Sequence, residues 1–237
     1  ELGRLEELPE TGEFTATSRA ENGETMALRT YGRRIDVSRN LLVNDDLAML
    51  ADLTAAFGTA AAQTEADILV DLLTGNTALA DGTAVFHASR GNLAGSGVDL
   101  GDTGDQAALD TARQHMRTVT GLDGKTIVNA TPRYLVVGPE SETAAERLLS
   151  SIYAATVGDV NPFATKLELI VESRIAGTEW YILADPARLP VLHYGYLAGA
   201  QGVQIQRRDS WDSLGMSYRA WLDFGAGMLD WRGAYKN

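Results

Sequence analysis

TGEFTATSRAENGETMALRTYGRRIDVS, residues 11 to 38, reads as two β-strands around a turn at Asn22-Gly23. Asn-Gly between two extended runs is a strong hairpin signal. On the first arm Phe14, Ala16 and Ser18 alternate with threonines; on the second, Met26 and Leu28 alternate with Ala27 and Arg29. Arms of ten or so residues reach about 33 Å. Neither face carries a continuous apolar stripe that would bury it against its own domain. An isolated two-stranded hairpin is marginal in water. The hairpin is therefore expected to project and to contact another chain. Its arginines, Arg19, Arg29, Arg33 and Arg34, are the candidate interface residues.

Outward from the hairpin, residues 1 to 11 (ELGRLEELPET) place Leu2, Leu5 and Leu8 three apart before Pro9. That is one or two helical turns, too short to stand alone, and reads as an arm lying on something else. On the other side runs VSRNLLVNDDLAMLADLTAAFGTAAAQTEADILVDLLTG. Asn44, Asp45 and Asp46 supply a cap and an acidic first turn, which suit the positive end of the helix dipole. Leu50, Leu53, Phe57, Ala60, Ala61, Thr64, Ile68 and Leu72 recur at spacings of three and four, one face of a helix. Gly75 is the expected stop. A helix over about 45–74 spans about 45 Å, against a radius of gyration of about 18 Å for a compact chain of this length. It reads as a spine, with a break at Gly58 left open.

Residues 76 to 104 form a Gly-, Asp-, Ser- and Asn-rich loop; loops of this length are usually functional or mobile. Helices are expected from Asp105 to Met116 and from Pro139 to Ile152. Strands are expected over 126–137, 167–171, 180–183, 191–196, 203–207 and 217–224. All four tryptophans (Trp180, Trp211, Trp221, Trp231) lie in the later, sheet-rich part. Helix early and sheet late is an α+β pattern.

The totals exclude several classes. The 237 residues are 45% apolar, enough for a sizeable core, with no cysteine and a net charge of −12. Disulfides and thiolate sites are excluded, and phosphate-neutralising binding to nucleic acid is disfavoured. No apolar run reaches the length of a membrane span, and the N-terminal residues do not read as a signal peptide.

Fragments that resemble catalytic motifs weaken in context. FHASRG sets His87 two residues from Ser89, without the elbow or orienting acid of a serine nucleophile; a loop histidine capping backbone is expected. LDFGAG contains Asp223-Phe224-Gly225 but none of the other parts of a kinase site, and Asp223 reads as a strand-end residue. Asp99, Asp102 and Asp105 are spaced by three, unlike a calcium loop. His87, His115 and His193 without cysteine make a zinc site improbable. No catalytic residue, cofactor or metal ligand is assigned, and an enzyme is not expected. A soluble hydrolase using His87 and a nearby serine is the weakest of the alternatives.

Five stretches carry a resemblance: IDVSRNLLVNDD leading into the spine helix, DGTAVFHASRGNLA, PRYLVVGPESETAAERLL, NPFATKLELIVESRI and LDFGAGMLDWRGAYKN. In order and spacing the chain resembles the major capsid proteins of tailed bacteriophages with the Hong Kong 97 type fold. Within that family it is nearest the Mu-like head subunits and those encoded behind a ClpP-like prohead protease. The resemblance implies an N-terminal arm at 1–11 and an extended loop at 12–37 reaching over a neighbouring subunit. It implies a peripheral domain from 38–125 and 201–225 around the spine helix, and an axial domain from 126–200 and 226–237. It implies a virion shell of hexamers and pentamers, assembled in the host cytoplasm, enclosing DNA without sequence-specific binding and without a membrane. It also implies portal and prohead protease as assembly partners. Composition alone reads the start at Glu1 as a chosen boundary; the resemblance implies protease trimming instead. Some members join this loop to a neighbour through a lysine–asparagine bond. The hairpin has no lysine, so no such link is expected from it, and non-covalent contacts or a cementing protein would stabilise the shell. An encapsulin-like compartment shell enclosing an enzyme cargo remains the alternative.

Overall fold

The computed structural model describes residues 23–40, 48–95, 97–150, 166–210 and 214–237. The arm expected at 1–11, the first hairpin arm with Arg19, the cap at Asn44 to Asp46, the end of the helix expected to reach Ile152, and Trp211 lie outside the described residues. In chain order the elements are β1 (Arg29–Ser38), α1 (Ala48–Thr74), α2 (Asp105–Thr118), β2 (Pro132–Val137), α3 (Glu142–Leu149), β3 (Glu168–Val171), β4 (Trp180–Ala184), β5 (Leu192–Tyr196), β6 (Gln204–Asp209), β7 (Gly215–Met228) and β8 (Ala234–Lys236). Two compact units result. One comprises Asn76–Val191 and Met228–Asn237, joined by Glu24; the other comprises Thr25–Gly75 and Leu192–Gly227.

The first unit is a sheet in the order β3-β2-β4-β8. β2 and β3 are parallel; β2/β4 and β4/β8 are antiparallel. Alternate residues Leu135 and Val137, Trp180 and Ile182, and Tyr235 turn to one face, as the two-residue period of a strand requires. Leu109, Ala112 and Met116 of α2, with Ala145 and Leu148 of α3, fill the space against them. Their spacing of three and four is the inward stripe of a helix. On the opposite face Tyr181 is fully buried, with its ring 5.5 Å from Phe86.

Phe86 belongs to the long polar segment, which is built from side-chain-to-backbone bonds rather than regular structure. Asn76 donates to the Phe86 carbonyl and accepts from its N–H at 2.9 and 2.7 Å. Buried Asn92 donates to the Val85 carbonyl (2.8 Å) and accepts from the His87 N–H (3.1 Å). Arg90, with a side chain only 5% exposed, pairs with Asp81 at 2.7 Å and lies over the Trp231 ring at 5.1 Å. Leu93 bridges in parallel to Lys236. The segment is thus an ordered cover on the sheet.

In the second unit β7 is central. β1 pairs antiparallel with it from Arg29↔Phe224 to Ser38↔Gly215. β6 pairs from Gln204↔Trp221 to Asp209↔Met216, and β5 also hydrogen-bonds to β7. Val37, Ala220, Leu222 and Phe224 are buried on one face, and so is Phe57 of α1. Tyr194 and Tyr196 flank Phe224 at 5.9 and 5.5 Å, and the Tyr196 hydroxyl donates to Glu65 of α1 at 3.0 Å. α1 runs through Gly58 without a break for 27 residues, about 40 Å.

Two expectations need correction. The second hairpin arm is not without a partner in its own chain. It is an edge strand, held by a ladder with β7, and a backbone ladder needs no apolar side-chain stripe. Residues 25–27 continue beside β7: a β-carbon on Gly225 would stand 2.6 Å from the Ala27 carbonyl oxygen. At the turn, the Glu24 carboxylate accepts the Ala80 N–H at 2.9 Å. Residues 76–125 group with the β2 sheet, because α2 and the polar cover pack on its two faces. The chain passes back to the second unit between Val191 and Leu192. Asp223 sits inside β7, which runs on to Met228, and is not a strand end. The short β8 carries no alternation long enough to read from sequence.

Candidate subunit interface

The outward face of the second unit's sheet follows from register. Residues directly opposite in an antiparallel pair share a face. Arg34, Arg219 and Gln206 therefore form one row; Gly32, Trp221 and Gln204 the next; Asp36, Ser217 and Arg208 the row on the other side. Arg34 pairs with Asp36 at 2.9 Å, and both side chains are more than half exposed. The Ser217 hydroxyl donates to Asp36 at 2.6 Å. Arg219 donates twice to Gln206, at 3.1 and 2.6 Å, and its guanidinium stands 5.3 Å over the Trp221 ring. A groove of about 420 Å³ is bordered by Gly32, Arg33, Arg34, Arg219, Ala220 and Trp221.

The sequence-predicted arginines do not all gather here. Arg34 is on this face. Arg29 and Arg33, opposite Phe224 and Ala220, belong to the other face. Both are exposed and neither forms an ion pair among the described residues. Arg33 also borders a cleft of about 560 Å³ whose walls include Tyr31, Phe57, Ala60, Thr64 and Leu222. Arg19 lies outside the described residues. Sequence reading missed Arg219, Trp221 and Arg208, since they stand some 180 positions away and only strand pairing brings them beside Arg34. For Arg219 and Trp221 the one visible signal was alternation in SYRAWLDF.

The motif fragments have structural roles. His87 Nδ1 lies 2.7 Å from the Ser89 hydroxyl and accepts the Ser89 N–H at 3.2 Å, capping the turn at Ala88–Arg90. Asp223 accepts the Thr30 hydroxyl at 2.5 Å across the β1–β7 pair. Asp105 accepts the Gly101 N–H at 3.0 Å at the start of α2. No group of three potential metal ligands, and no helix long and apolar enough to cross a membrane, occurs among the described residues.

Residues 23–237 match the family model for phage capsid protein. The chain belongs to the phage capsid protein family. This capsid chain is accordingly a structural component of the virion head shell and not an enzyme. No curated protein sequence matches it. Its fold is similar to that of the Mycobacterium phage Adephagia structure at 11% identity and TM-score 0.57, covering 100% of this chain and 79% of that one. It is also similar to the capsid structure of Cyanophage P-SCSP1u, at 11% identity and TM-score 0.52, covering 99% and 80%. The SrpI encapsulin of Synechococcus elongatus is similar at 12% identity and TM-score 0.54, covering 88% and 72%. The capsid chain therefore has the mixed α+β fold of Hong Kong 97 type capsids and encapsulins.

Proposed function

We propose that this chain is the major head subunit, building an icosahedral shell of hexamers and pentamers around phage DNA. The observation that carries this is the family match over 23–237, supported by a fold similar to phage capsids across nearly the whole chain. The unit of Thr25–Gly75 and Leu192–Gly227 corresponds to the peripheral domain and the other unit to the axial one. Arg19, Arg29, Arg33 and Arg34 serve subunit contacts. Each contact is weak, but a subunit held by many neighbours at once gains the combined benefit. Head-to-tail contacts that close produce rings. A portal, a prohead protease and a cementing protein complete the assembly.

Electron microscopy of the purified chain tests the reading: closed, regular shells are expected. Shells isolated from infected cells should carry DNA. Shells filled with a protein cargo would favour the compartment reading, to which the encapsulin likeness lends weight. A chain that stays monomeric at high concentration would overturn both.

A further inference from the structure

The Arg34 row is unusual for a lone subunit. Arg34 and Arg219 are direct cross-strand partners, and like charges placed so are destabilising. Asp36 balances Arg34, but among the described residues Arg219 meets the neutral Gln206 and the Trp221 ring without an ion pair, and Arg208 forms no ion pair either. With Asp223 on the face as well as Asp36, three arginines stand against two aspartates, a small positive excess on a chain whose net charge is −12. Beside it Gly32 leaves no side chain opposite Trp221, so the half-buried ring borders an open groove.

Resting on the shell reading above, we infer that this face receives a carboxylate-bearing segment of a second copy of the chain. Arg34, Arg219 and Arg208 meet the carboxylates. The Gly32 recess takes an apolar side chain against Trp221. Charge complementarity selects this occupant: the rest of the chain carries the acidic excess, so another copy presents mostly negative surface. Arg219 is already set by Gln206 and stacked on Trp221, and an arginine held by its neighbours loses less freedom on pairing. Arg29 and Arg33 have no part in the contact, since they lie on the other face.

The test compares wild type with Arg34→Glu/Arg219→Glu and, as the milder control for folding, Arg34→Gln/Arg219→Gln. All three should give the same circular dichroism spectrum. The concentration needed for shell assembly, followed by sedimentation and microscopy, should rise about tenfold or more in the glutamate variant and less in the glutamine one. Added salt should raise the wild-type value and leave the glutamine variant nearly unchanged. A photo-crosslinking residue replacing Gln204 should capture an Asp- or Glu-rich peptide of another copy in assembled shells. Shells formed by both variants at the wild-type concentration overturn this inference and leave the shell reading standing. A wild-type chain that never assembles overturns the shell reading and this inference with it. Crosslinks to DNA alone, or short single-stranded DNA bound by wild type and lost in the glutamate variant, also overturn it.

Discussion

Gly225 shows how much one missing side chain can settle. Its position in β7 lets residues 25–27 pass close enough that an added β-carbon would come within 2.6 Å of the Ala27 carbonyl oxygen. Gly225→Val is expected to lower stability by about 1–3 kcal/mol, read as a lower thermal midpoint with the same secondary structure. His115 governs a different property. It lies against Gly91 and 6.0 Å from the Tyr235 ring, and its buried Nε2 has no hydrogen-bond partner among the described residues. Burial holds its pKa below the ordinary value of 6.5. The folded state thus resists a proton that the unfolded chain accepts below pH 6.5, so stability falls as pH drops from there toward the folded pKa. His115→Gln should flatten the thermal midpoint between pH 6.5 and 5. An equal slope in the variant would remove His115 from the account.

Elements here depend on partners remote in sequence. β1 has eight exposed residues of ten, which is tolerable because it is an edge strand with one ladder to β7. Excising 14–34 would remove Arg29 to Arg34 from that ladder and uncover Leu222 and Phe224. The excised chain should therefore show a lower, broader unfolding transition, and not just an assembly defect. The C-terminal strand is comparably tied in. Asn237 accepts from the Val98 N–H at 3.1 Å and donates to the Val98 carbonyl at 3.0 Å; that carbonyl also accepts the Trp180 indole N–H. β8 covers β4, and Tyr235 is 5% exposed in the core. Deleting 234–237 should cost several kcal/mol, of the order seen when a large aromatic is lost from a core (about 3–5 kcal/mol). Urea denaturation of the first unit's tryptophans would measure it.

At the scale of the whole molecule, capsid membership separates folding from assembly. Arg33→Glu with Arg34→Glu touches exposed side chains only, and exposed pairs are worth about 0–1 kcal/mol to the fold. The double variant should melt near the wild-type temperature yet assemble poorly, as judged by gel filtration and microscopy. A melting point lowered by many degrees would place those arginines in the fold's own support.

The spine helix, the α+β order and most strands were legible because each announces itself locally: leucine and alanine at three-four spacing, two-residue alternation, Gly and Pro at the ends. The family was legible too, from the order of five stretches that are individually unremarkable chemically. What the residues alone could not reveal was pairing. Nothing in RTYGRRIDVS names its partner as GMSYRAWLDF, because backbone hydrogen bonds are blind to side-chain identity and an edge strand needs no apolar stripe. The same blindness hid Arg219 and Trp221 beside Arg34. Local periodicity is written in the chain; which distant segments share a sheet is decided only when the core closes.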